Sequence, residues 1–280
     1  MSDSLADRLR AGIVLGAEGY VFELERRGYI KAGPYVPEVV LDHPDAVREL
    51  HREFLRAGAE VMVALTYYAH REKLRDVGRE GDLEAMNRQA VRIAREVARE
   101  GGALVAGNVC NTWAYDPDDP ATGQAVRAMY AEQLGWAVEE GIDFVISETN
   151  DYLGEALIAP IREAVECAVA VQPVPYRTHP GAPTMETLRS PGGEQAFPIA
   201  LDPFTCTRFE LAQFALQARE LGVDYIGICC GAGPHHVRAM AEALGREVPA
   251  GKYSPSMDLH PMFRADVAAK DAAFLHSWSA

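Results

Sequence analysis

The sequence predicts an α/β fold, a (β/α) TIM-barrel-like array of parallel strands with helices on the outside. Three observations lead there. Short apolar runs alternate with amphipathic stretches of helical period along most of the chain, the pattern of a parallel sheet covered by helices. The polar and thiol-bearing residues Glu18, Tyr68, Cys110, Glu148, Gln172, Cys229 and Cys230 fall at the carboxyl ends of those runs, where such folds bind ligands. The length of 280 residues suits one large domain of this kind, for which about 250 is typical.

Leu5 to Ala11 reads as a short amphipathic start. Ile13 to Gly16 is the first strand, running into Ala17-Glu18-Gly19. Phe22 to Arg27 is helical, and Gly28 stops it. Pro44 to Ala57 forms a helix, with Val47, Leu50, Phe54 and Leu55 at a 3.6-residue period and Gly58 as cap. Val61 to Thr66 is the second strand, followed by Tyr67 and Tyr68. Leu83 to Glu100 is a long helix with Met86, Ala90, Ile93, Ala94 and Val97 on one stripe. Ala103 to Cys110 is the third strand, a helix runs from about Gln124 to Glu139, and Phe144 to Glu148 is the fourth strand. Leu153 to Glu166 is helical but interrupted by Pro160. Cys167 to Val171 is the fifth strand, with Cys167 at its start and so in the core. A loop rich in Gly, Pro, Ser and Thr then leads to Asp202; loops of that length are usually functional or mobile. A helix from Thr207 to Glu220 precedes the sixth strand, and a last helix ends near Gly245. Residues 1–248 are read as one barrel domain and 249–280 as a tail.

The stretch that organises the chain is Gly227-Ile228-Cys229-Cys230-Gly231. Two adjacent thiols in mid-strand would point to opposite faces and act as core residues. At a strand terminus the chain turns, and both sulfurs can converge on a soft metal, above all zinc.

Formal net charge is −14, which argues against a nucleic-acid partner. The amino terminus shows no charged and apolar leader, and no apolar run is long enough to span a membrane. Five cysteines, an odd number, then point to reduced cytoplasmic thiols. Neither G-x-G-x-x-G nor G-x-x-x-x-G-K-[ST] occurs, which disfavours nucleotide cofactors.

Several separate motifs agree in order with one family. Phe22-Glu23-Leu24-Glu25-Arg26-Arg27-Gly28-Tyr29-Ile30-Lys31-Ala32-Gly33-Pro34, Leu50 to Gly58, Phe197-Pro198 through Asp202-Pro203, and Tyr225 to Gly231 followed by Pro234-His235-His236-Val237-Arg238-Ala239 resemble the homocysteine S-methyltransferase family. Within it they are most similar to the betaine–homocysteine branch. The resemblance implies an eight-unit (β/α) barrel with a catalytic zinc held by three cysteine thiolates, two of them Cys229 and Cys230. It implies an enzyme that moves a methyl group from a small donor to the thiol of homocysteine, giving methionine. Tyr68 and Glu148 are the implied catalytic residues, Glu148 lying near the homocysteine amino group. Glu18, in Gly16-Ala17-Glu18-Gly19 where many family members carry an acidic residue followed by glycines, and Tyr35 join Glu148 as candidate substrate-binding residues. A quaternary ammonium donor such as betaine would be met by an aromatic cage, for which Tyr20, Tyr35, Tyr67, Tyr68 and Trp113 are candidates. Another onium compound or S-methylmethionine are the alternative donors.

Two departures from the family carry expectations of their own. Only six βα units are found where the family has eight, so the barrel is expected to be incomplete, with open edges that favour a homo-oligomer. The family's first zinc cysteine, in a Gly-x-Asn-Cys type sequence, has no counterpart. Cys110 is the leading candidate for a third thiolate and Cys206 the second; His70, His179, His235 and His236 are non-cysteine candidates, with surface or capping roles favoured for the last two. The competing reading is a non-catalytic barrel derivative that binds thiol ligands or a partner.

Overall fold

A computed structural model of the chain describes residues 4–112, 114, 119–148, 170–182 and 184–259. Cys167, Trp113, Pro160 and the greater part of the predicted tail lie outside the described residues.

The chain opens with helix α1 (Leu5–Ala11), capped by Ser4, whose hydroxyl accepts from the Asp7 N–H. Strand β1 (Val14–Ala17) and helix α2 (Tyr20–Arg26) follow, joined through Gly19. Then come the short α3 (Val39–Asp42), α4 (Pro44–Ala57), β2 (Val61–Val63), α5 (Arg71–Asp76), α6 (Leu83–Gly101) and β3 (Leu104–Cys110). Helix α7 (Pro120–Glu140) begins four residues before its predicted start because Pro120 takes the first helical position and Asp119 caps the Ala121 N–H at 2.9 Å. Strands β4 (Phe144–Glu148) and β5 (Ala170–Val171), helix α8 (Arg208–Glu220), β6 (Tyr225–Ile226) and α9 (Pro234–Ala243) complete the regular elements. The predicted tail starts with a 3-10 turn, Pro249–Tyr253, that packs on α4 and α9.

All described strand pairs are parallel, in the order β4-β3-β2-β1-β6-β5. Strand β6 returns to lie beside β1, as in a closing barrel. Among the described residues β4 and β5 do not pair, so the six strands curl into an incomplete (β/α) barrel. The consequence shows in burial. Strands β1 and β2 are buried on both faces, as a covered parallel sheet requires. In β4 exposure alternates, and Val145 is 42% exposed.

Two predicted strands are shorter than read. Strand β2 ends at Val63 because Thr66 N–H turns back to the Ala64 carbonyl. Strand β6 ends at Ile226, yet Gly227 N–H still bonds Val171 O at 2.9 Å and Cys229 N–H bonds Pro173 O at 3.0 Å. Cys229 is thus anchored by backbone to the stretch that follows β5.

Helix α4 buries Val47, Leu50, His51, Phe54 and Ala57 on one stripe. Burial of Leu50 and Phe54 is each worth about 2 kcal/mol. The same geometry forces His51 inside, against the Tyr20 hydroxyl at 3.1 Å. Burial holds its imidazole down at about 3, so between that value and the ordinary one near 6.5 only the unfolded chain takes the proton. The unfolded state then binds more protons, and stability falls as pH drops through this window, by about 2 kcal/mol at pH 5 from this residue. Urea midpoints measured at pH 7 and pH 5 are expected to converge in His51→Gln relative to the parent; an unchanged pH slope would remove His51 as the cause.

Among the described residues, no helix is long and apolar enough to cross a membrane.

Candidate functional site

Six side chains from five strands meet at the carboxyl end of the sheet. Glu18 follows β1, Tyr67 follows β2, Asn108 lies near the end of β3, Glu148 closes β4, and Cys229 and Cys230 follow β6; together they line a narrow cleft of about 30 Å³, roughly room for one water. Each arrives there because a parallel strand stops and its turn begins at the same level.

The thiols converge. Cys229 Sγ and Cys230 Sγ are 3.6 Å apart, and Glu148 Oε2 is 3.8 Å from Cys229 Sγ. Two sulfurs on a tetrahedral zinc, each at about 2.3 Å, stand about 3.75 Å apart, so this pair fits one edge of such a site. Contact with Cys230 and burial together push the Cys229 thiol well above its ordinary range, with nearby Glu148 and Glu18 adding to it. An uncompensated cluster of this kind favours a cation.

The carboxylates are buried beside the thiols. Glu18 accepts from Gln172 Nε2 and from the Tyr225 hydroxyl at 3.4 Å, while its Oε2 is buried without a partner among the described residues. Burial first, then the Glu148 charge, raises its proton affinity strongly. Glu148 accepts from Asn108 Nδ2 at 2.5 Å, and burial raises it too.

Tyr68 sits at φ +60°, a strained position for a residue with a side chain. Its N–H donates to Cys110 Sγ at 3.2 Å, and its hydroxyl accepts from Tyr67 at 2.8 Å. Burial drives Tyr68 and Cys110 each up to about 12. Cys110 is therefore placed behind the turn that carries Tyr68. Among the described residues no group of three or more His, Cys, Asp and Glu side chains is arranged to hold a metal ion. Tyr35 does not line the cleft: it packs on Phe22 with ring centres 5.3 Å apart, and its hydroxyl is buried without a partner among the described residues.

The other metal candidates have local tasks. His70 caps α5 by accepting from Lys73 N–H at 3.4 Å. His179 accepts from Gly181 N–H in an exposed turn. His236 caps α9: Nδ1 accepts from Gly233 N–H at 3.1 Å, and Nε2 lies 2.9 Å from the Cys206 carbonyl. His235 stacks on it at 3.9 Å.

Sequence reasoning missed Asn108 in the cleft and the Tyr225 hydroxyl on Glu18. Strand alternation places Asn108 on the face shared by Ala106 and Cys110, a signal that was present.

Fold and cleft define an incomplete parallel (β/α)-barrel protein with thiols and carboxylates gathered at its strand ends. The family model for homocysteine S-methyltransferase matches residues 18–190. Betaine–homocysteine S-methyltransferase 1 of Rattus norvegicus is 34% identical, over 93% of this chain and 82% of its own length. The S-methylmethionine–homocysteine S-methyltransferase BHMT2 of the same species is 32% identical, over 93% and 89%. The metallated form of the homocysteine methyltransferase MmuM from Escherichia coli shares the fold, with TM-score 0.57 and 21% identity over 84% of this chain and 99% of that one. The chain belongs to the homocysteine S-methyltransferase family of enzymes. The alignment with the first rat relative runs over 336 positions but takes in only 93% of these 280 residues, about 260, so about 75 positions have no residue here. That shortfall is on the scale of two βα units, in keeping with the six strands found among the described residues.

Proposed function

We propose that the protein transfers a methyl group from a small onium donor to the thiol of homocysteine, yielding methionine. The carrying observation is the Cys229–Cys230 sulfur pair, 3.6 Å apart beside Glu148. Cys229 and Cys230 would hold a zinc ion, with Cys110 the candidate third thiolate. Zinc, when bound, would keep a substrate thiol in its nucleophilic thiolate form. The residues do the rest. Glu148 receives the substrate ammonium, and Glu18 supplies a second buried carboxyl next to the thiols. Tyr67 walls the cleft, with Tyr68 stacked against it, and helps keep water out. The substrate thiolate attacks the methyl carbon as the carbon–heteroatom bond of the donor breaks, and the donor leaves with one positive charge fewer. Betaine and S-methylmethionine both suit this chemistry, and relatives named for each support both.

The non-catalytic alternative draws on the lack of a three-ligand group among the described residues. The decisive experiment is metal analysis of the purified protein with methionine measured from homocysteine plus betaine or S-methylmethionine. About one zinc per chain and methionine from at least one donor is the expected result. A folded, zinc-free protein that forms no methionine with either donor would overturn the proposal.

A further inference from the structure

Asn108 holds a place in the cleft that none of the roles above uses. Its register partner on β4 is Ile146, so Glu148 lies two residues further along on the same face. Asn108 Nδ2 donates to Glu148 Oε1 at 2.5 Å, while Glu148 Oε2 faces Cys229 Sγ at 3.8 Å. The Asn108 backbone carbonyl accepts from Thr66 Oγ1 at 2.7 Å, which ties the residue to the turn after β2. Its remaining polar atom, Oδ1, is buried and has no partner among the described residues. A buried acceptor left unpaired is costly, and one lining a ligand cleft is a recognition element in waiting.

We infer that Asn108 is a positioning and specificity residue for the ammonium group of the thiol substrate. The inference rests on the methyl-acceptor reading given above. Asn108 Nδ2 occupies Glu148 Oε1 and so fixes the plane of the carboxylate. Glu148 Oε2 and Asn108 Oδ1 are then the oxygens left to accept, one charged and one neutral. A primary ammonium brings three N–H donors and satisfies both. A quaternary ammonium brings none and leaves Asn108 Oδ1 unpaired. The pair therefore sorts an amino-acid thiol from a methyl donor, and from a thiol of equal length without the amino group. The discrimination is strong because a site built to hydrogen-bond a group rejects the analogue that lacks it.

The test is binding of homocysteine and of 4-mercaptobutyrate, its desamino analogue, by titration calorimetry on the zinc-loaded full chain. The parent is expected to favour homocysteine, and Asn108→Ala to shrink that preference about tenfold. Asn108→Leu, close in size but with neither polar atom, is expected to lose preference as well. The ratio of two dissociation constants on one preparation is insensitive to the fraction folded, so a merely structural role leaves it unmoved. An unchanged ratio in both variants, or a parent that binds the two thiols equally, overturns the inference. Methionine formation by the parent is scored separately, so a protein that binds selectively but does not turn over refutes the function and leaves this assignment standing.

Discussion

Cys230→Ser, and separately Cys229→Ser, is expected to yield a folded protein that has lost its zinc and its methyl transfer. The two sulfurs stand 3.6 Å apart, and serine oxygen is a poor replacement for a thiolate toward zinc. Removing even a group that only supports a ligand costs 10–100-fold in affinity or activity; removing a ligand is expected to exceed about 100-fold. Both cysteines are only partly shielded by residue exposure, and serine is nearly isosteric, so the stability change is expected near 1 kcal/mol. The measurement is zinc content, thermal melt and methionine formation on the same preparations. Cys206→Ser serves as control, because Cys206 does not line the cleft that holds the thiol pair. Cys110→Ser separates two roles: a ligand loses zinc, whereas an anchor for the Tyr68 turn keeps zinc and lowers activity. Full zinc and full activity in Cys230→Ser would end the metal-thiolate account.

Gly19→Ala is expected to be strongly damaging for a single added methyl near the site. Gly19 lies at φ +84°, and a Cβ there would stand 2.8 Å from the Ala232 carbonyl oxygen and 3.2 Å from that of Cys229. Those are backbone atoms of the turn that presents both thiols, and they cannot swing aside as a side chain can. The left-handed conformation alone costs alanine about 1 kcal/mol relative to glycine; with the collision the loss is expected to exceed about 2 kcal/mol. The displacement falls on Cys229, so zinc affinity is expected to drop with stability. Gly78→Ala isolates the first contribution: its φ is +72° and no atom lies within 4 Å of the added carbon. Equal urea midpoints for the two variants would show that the β1–α2 turn does not brace the thiol turn.

Much of this was legible beforehand. The Pro44–Gly58 helix, the strand-end placement of Glu18 and Glu148, and the meeting of the two thiols follow from period, capping and position. The capping role of His236 was also foreseen. Other features were not. His51 was overlooked because a histidine on an apolar stripe carries no separate signal until the helix docks on α2. Asn108 was overlooked because an uncharged amide in a strand looks like any other polar residue. The bond from the Tyr68 N–H to Cys110 is not legible in the sequence because it depends on how the turn after β2 folds back.

The sequence by itself determined the alternation of strand and helix, the end of the sheet at which chemistry collects, and the family, because these depend on local period and on motif order. The tertiary structure alone decided that β4 and β5 do not pair among the described residues, that Asn108 grips Glu148, and that Tyr35 stays outside the cleft. Distances between side chains on different strands are set by register, sheet curl and turn conformation, and those emerge only when the whole chain is packed together.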